Sequence, residues 1–156
     1  MEMAGERRIE APQEKVWRAL NDPEVLKASI PGCDSLEKVS DTEFTATVTT
    51  KLGPIKAKFG GKVSLSEIVP PNGYRISGEG QGGVAGFAKG GASVALEPDG
   101  DATVLRYTVN AAVGGKIAQL GARLIDTTAR KLADQFFATF DAIVSGKAAD
   151  APQQVA

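Results

Sequence analysis

The chain has 156 residues, 42% hydrophobic and 24% charged, which suits one globular domain with a real core and excludes a disordered or fibrous segment. A formal net charge of −1 and a pI near 5.5 give no basic footprint for nucleic acid. One cysteine, Cys33, and no histidine exclude an intramolecular disulfide and leave the usual zinc sites short of ligands, so no metal and no cofactor is expected.

The start, MEMAGERRIE, is charged where a secretory leader needs an apolar run, and no stretch approaches the roughly 20 apolar residues of a membrane span; the expectation is a cytoplasmic protein. MEMAGERRIEA reads as a short first strand. APQEKVWRAL follows, with Pro12 at a helix start and Val16, Trp17 and Leu20 on one face. Asp22 then caps a second short helix, PEVLKAS, with Pro23 at its first position and Pro31-Gly32 as its stop. From Leu36 to Val113 the period changes to two. Phe44, Ala46 and Val48 alternate with threonines, and Ile55, Ala57, Phe59, Val63 and Leu65 alternate mostly with Lys and Ser. Turn signals at Asp41-Thr42, Gly53-Pro54, Pro70-Pro71-Asn72-Gly73 and Pro98-Asp99-Gly100-Asp101 cut this into about six antiparallel strands.

A long helix is expected from Ile117 to Ser145, roughly 40 Å at about 1.5 Å per residue. Ile117, Leu120, Leu124, Thr128, Leu132, Phe136, Phe140 and Ile143 form its apolar stripe, widened by Ile125, Ala129, Ala133 and Phe137. After Gly146 the tail KAADAPQQVA loses the period. The reading is therefore one α+β domain over residues 1–146 and a disordered tail over 147–156.

Gly78, Gly80 and Gly83 satisfy G-x-G-x-x-G literally, but a nucleotide loop must open a helix, and GEGQGGVAGFAKGGASVAL leads into another strand. Glycines there let the sheet bend and leave room beneath it. Without histidine, a nucleophile would have to come from Cys33, Ser or Lys with a carboxylate or lysine base, and no spacing nominates such a pair. Glu79, among Arg75, Ser77 and Gln81, reads as a surface carboxylate. No catalytic residue is assigned, and the chain is not expected to be an enzyme.

Two features remain. Lys51, Lys56, Lys58 and Lys62 gather in one hairpin, where they would meet anionic lipid head groups or an acidic partner, or would protect a strand edge from pairing. Phe44, Phe59, Phe87, Tyr107, Leu124, Leu132 and Phe136 face inward on sheet and helix. Because aromatics are only 6% of the chain and the sheet is rich in Gly and Ala, the volume beneath a curved sheet is expected to be incompletely filled.

The order of strand, two short helices, six-stranded meander and long helix resembles the helix-grip fold of the START and Bet v 1 superfamily. Within it, APQEKVWRALNDPEVLKASIPGCDSLEKV, the glycine-rich GEGQGGVAGFAKGGASVAL, and GGKIAQLGARLI followed by ARKLADQFF resemble the CoxG family of carbon monoxide dehydrogenase over about residues 3–145. The resemblance implies a non-catalytic accessory protein of the aerobic molybdenum enzyme, partnered with its subunits. It also implies an apolar ligand, a quinone or a lipid, and a peripheral contact at the inner face of the cytoplasmic membrane. Tyr107, Thr128 and Gln135 are the candidate polar groups for a ligand carbonyl. A docking protein with a filled interior, or a cyclase- or hydrolase-like enzyme of the superfamily, are the alternatives. Gly114 and Gly115 would let the chain turn from its last strand under the sheet, and Gly121 would let the helix pass close to another backbone; a hinge that opens the pocket is compatible with both.

Overall fold

Residues 1–146 are described by the computed structural model; the expected disordered tail lies outside the described residues. The period-two segments form β1 (Glu2–Ile9), β2 (Cys33–Ser40), β3 (Glu43–Leu52), β4 (Ile55–Val69), β5 (Gly73–Gln81), β6 (Phe87–Asp99) and β7 (Ala102–Gly114). They make one antiparallel sheet in the order β1-β7-β6-β5-β4-β3-β2, so the meander runs in sequence and β1 closes onto its last strand. The helices are α1 (Gln13–Leu20), α2 (Pro23–Ser29) and α3 (Ala122–Ser145). This is the helix-grip arrangement expected from the order of elements.

The short helices are fixed by local chemistry. Asp22 accepts a hydrogen bond from the Glu24 amide at 2.9 Å, capping α2 with Pro23 at its first position. α1 is held against the sheet by the Gln13 amide, which donates to the Pro71 carbonyl and the Asn72 side chain, each at 3.1 Å. The Thr103 hydroxyl, fully buried, donates to the Ala11 carbonyl at 2.7 Å. Ile9, Val16, Leu20, Phe44, Leu105, Phe140 and Val144 form a dense core between α1, the sheet and the C-terminal half of α3.

The last helix is shorter than its apolar stripe suggests. Lys116–Leu120 is a separate 3₁₀ turn, and α3 starts only after Gly121, whose φ of +94° breaks the helix. A Cβ at Gly121 would meet nothing within 4 Å, so the glycine serves the bend and not a close approach. Gly115 does both: φ is +80° and a Cβ there would come within 2.5 Å of the Gly86 Cα. Those glycines bring the β7–α3 corner against the β5–β6 connection.

β4 is a central strand, so edge protection does not account for its lysines along its whole length. The exception is its start. β2 pairs with β3 only as far as Val48, and β5 pairs with β4 only from Gly60. Beyond those points β3 and β4 pair only with each other, as a two-stranded ribbon carrying Lys51, Lys56 and Lys58 past the end of the sheet.

Candidate functional site

Every second residue of a strand faces the same side. On the concave side that parity gathers Phe44, Ala46 and Val48 of β3, Phe59, Gly61, Val63 and Leu65 of β4, Tyr74, Ile76 and Gly80 of β5, Ala92 and Val94 of β6, and Leu105, Tyr107 and Val109 of β7. Met3, Leu36, Leu20, Leu26, Ile30, Ala133, Phe136 and Phe137 complete the wall of a cavity of about 450 Å³. Two inward positions, Gly61 and Gly80, carry no side chain at all, which leaves space that a close-packed core would fill. A hollow of about 510 Å³ on the outer face, beside Glu2, Arg75, Ser93, Asn110 and Arg130, is more open and more polar, a weaker fit to a small-molecule site.

The wall is hydrocarbon and aromatic ring. Its only side-chain polar atoms besides the Met3 sulfur are two phenol oxygens. Tyr74 donates to the Leu20 carbonyl at 3.0 Å, and its burial pushes the phenol pKa up, so it stays neutral. The Tyr107 ring stacks on Phe137 at 5.2 Å between centroids, while its hydroxyl lies over Gly5 of β1, where a side chain would collide with it. Tyr107 therefore gives the cavity its ring and points its oxygen toward the β1–α3 seam. There Arg7 pairs with Asp134, which with the nearby Tyr107 holds the guanidinium proton more firmly than usual despite some desolvation.

Of the ligand candidates from sequence, Phe44, Phe59, Tyr107 and Phe136 come together in this wall. Five others do not. Phe87 has the wrong parity: Ala92 and Val94 face inward, so Phe87 lies on the outer face over Gly114, 40% exposed. On α3 the inward face is set by Ala133, Phe136, Phe137 and Phe140, spaced by three, one and three; Gln135 falls off that arc and is exposed. Leu132 is half-buried on its flank. Leu124 and Thr128 are half-buried too, on the N-terminal half of the helix, where Leu124 packs instead against the β3–β4 turn, its Cδ2 2.9 Å from where a Cβ on Gly53 would sit. Periodicity tells which face of a helix is apolar, not where along its length the cavity lies. The sequence reading also missed the α1–α2 contribution and Tyr74-Ile76, although the spacing of two in YRI marks that pair.

Acid–base chemistry finds little here. Cys33 is half-buried at the start of β2, its Sγ donating to the Ser35 carbonyl at 3.3 Å, and desolvation raises its pKa more than Lys27 lowers it. Glu79 is exposed on the outer face in register between Lys62 and Lys89. The glycine fingerprint opens a three-residue 3₁₀ turn, Gly83–Ala85, and no helix.

Comparison with known proteins agrees with this architecture. The sequence model of the carbon monoxide dehydrogenase family CoxG matches residues 5–145. Among solved structures, a conserved protein from Geobacillus kaustophilus is 30% identical, with a TM-score of 0.88 over 94% of this chain and 96% of its own. A START superfamily protein from Mycobacterium smegmatis is 13% identical, with a TM-score of 0.71 over 93% of this chain and 97% of its own. An aromatase/cyclase from a Streptomyces species is 9% identical, with a TM-score of 0.67 over 92% and 93%. At those last two identities only the fold is shared. No curated protein matches the chain in sequence.

Proposed function

The chain belongs to the CoxG family of carbon monoxide dehydrogenase, and on that premise we propose that it is a non-catalytic accessory protein of the aerobic molybdenum enzyme that holds an apolar molecule, a quinone or a lipid, in the cavity under its sheet. The observation that carries this reading is the cavity wall: about 450 Å³ enclosed by aliphatic and aromatic groups, within the range of small-molecule sites. Each CH₂ transferred from water into such a space contributes about 0.8 kcal/mol, so a few isoprene units offset the cost of association without a strong polar anchor. Phe44, Phe59, Tyr107 and Phe136 are the contacts we assign to the ligand. The dehydrogenase subunits are the protein partner, and Lys51, Lys56, Lys58 and Lys62 are the contact with the inner face of the cytoplasmic membrane.

An enzyme of the cyclase kind is the second reading, favoured only by the structural neighbour of that activity. It needs a proton donor or acceptor facing the substrate, and the one phenol whose oxygen belongs to the wall, Tyr74, is already engaged with Leu20. A dock with a filled interior fits the cavity less well.

The test is mass spectrometry of the solvent extract of protein purified gently from its own host. A stoichiometric apolar compound is expected. An empty extract, together with no saturable binding of quinone analogues, would sink the carrier reading.

A further inference from the structure

We propose that the end of the sheet around Val84 is a docking surface for an anionic lipid bilayer, with Val84 and Phe87 entering the interface and a ring of cations meeting the head groups. The proposal extends the lysine contact above and does not require the cavity to be occupied. Three chain segments meet at this end: the β3–β4 ribbon (49–62), the β5–β6 connection with the start of β6 (80–96), and the β7–α3 corner (109–125). Together they carry Lys51, Lys56, Lys58, Lys62, Lys89, Lys116 and Arg123, seven of the chain's 18 basic residues, and none of its 19 carboxylates. On a chain of net charge −1, this end is strongly positive and the remainder correspondingly negative. Such separation orients the molecule toward a negative surface.

Charge alone would suit any polyanion. The apolar tip selects the bilayer. Val84 is 93% exposed at the apex of a connection shaped by glycines, with φ of +60° at Gly83 and +118° at Gly86, and Phe87 shows 40% of its surface beside it. Neither side chain stabilises the fold by being there, and a phosphate backbone offers no apolar layer to receive them. A bilayer interface does, with lysines at the head-group level around the insertion. The same end reaches the cavity. The Phe59 ring lies in the space left by Gly82, two residues from Val84, and also forms part of the cavity wall, so docking in this orientation sets the bilayer against the site.

The full chain is sedimented with phosphatidylcholine vesicles with and without phosphatidylserine, at about 50 mM and about 500 mM salt, where the Debye length shrinks severalfold. Wild type is expected to pellet with the anionic vesicles at low salt and to lose most of that binding at high salt. Val84→Asp, whose site is open to solvent, and the triple change Lys56→Gln, Lys58→Gln, Lys116→Gln should each weaken it at least tenfold, about fivefold per lysine at low salt. Lys15→Gln with Lys38→Gln, exposed charges elsewhere, should leave it unchanged. Equal urea midpoints guard against unfolding. Wild type that stays in the supernatant, or Val84→Asp that pellets like wild type, overturns the proposal. So does binding to heparin that survives Val84→Asp while vesicles are ignored. Quinone binding measured without vesicles separates the two readings: if it fails while vesicle docking holds, the carrier falls and this surface stands.

Discussion

The Tyr74 hydroxyl donates to the carbonyl oxygen of Leu20 at 3.0 Å, joining a central strand to the C-terminal end of α1 through the cavity wall. Trp17 lies against the same ring at 5.3 Å between centroids, so α1 is seated on the sheet by one aromatic pair and one buried hydrogen bond. Tyr74→Phe keeps the ring and leaves a buried carbonyl without its donor. We expect a loss of about 1–3 kcal/mol, read as a shift of the urea midpoint. An unchanged midpoint would mean that water replaces the hydroxyl.

The same residue sets a pH dependence. An unfolded tyrosine ionises near pH 10, whereas burial keeps the folded Tyr74 phenol protonated to higher pH. Its contribution is thus full below about pH 10 and falls above it by up to about 1.4 kcal/mol per pH unit, because only the unfolded state releases the proton readily. Urea midpoints between about pH 9 and pH 11 should fall more steeply for wild type than for Tyr74→Phe. Parallel curves would show that the phenol is more solvated than its surroundings imply.

Gly80 tests the empty space. A Cβ there would find its nearest neighbours, the Gly60 carbonyl oxygen and the Phe59 Cβ, at 3.9 Å, ordinary contact distance. Gly80→Val is therefore expected to fold with a midpoint equal to or above wild type, by up to about 1 kcal/mol, since valine suits a strand and fills unoccupied volume. It should also weaken binding of a quinone analogue at least about tenfold, a loss of about 1.4 kcal/mol. A clearly destabilised variant would mean the wall is already packed at this point.

The two ends of the meander's glycine set separate conformation from contact. Gly100 has φ +63° and open space around it; Gly115 has φ +80° and the Gly86 backbone 2.5 Å from its notional Cβ. Gly100→Ala should cost about 1–2 kcal/mol for the left-handed backbone alone. Gly115→Ala should cost more than about 3 kcal/mol, because two main chains would have to separate. Similar losses at both positions would favour a corner that gives way, as a hinge would.

These contrasts show what the sequence discloses. Strand parity was legible wherever apolar residues alternate without interruption: Phe44-Ala46-Val48 and Leu105-Tyr107-Val109 face the cavity together, and the Asp22-Pro23 pair marked its helix start. Phe87 was not legible, because Gly90 and Gly91 interrupt the alternation that would have set its side, and its ring fills the outer space over Gly114. Thr128 and Leu124 share a continuous stripe with Phe136 and Phe140, yet only the C-terminal half of α3 reaches the wall. Where a helix lifts from a sheet depends on the curvature of the sheet, a property of seven strands at once. The direction of the Tyr107 hydroxyl likewise depends on Gly5, about a hundred residues away in the chain and adjacent across the β1–β7 pairing.

Trp17 is the only tryptophan, and its ring contacts Tyr74, a residue of the cavity wall. It is therefore a built-in reporter of what fills the cavity, since quinones quench indole fluorescence at short range. The most direct measurement is a titration of the purified, delipidated chain with a short-chain quinone, read by Trp17 emission. The carrier account predicts saturable quenching at one quinone per chain, abolished by Gly80→Val. Quenching that rises linearly without saturation, or that saturates identically in Gly80→Val, would contradict it.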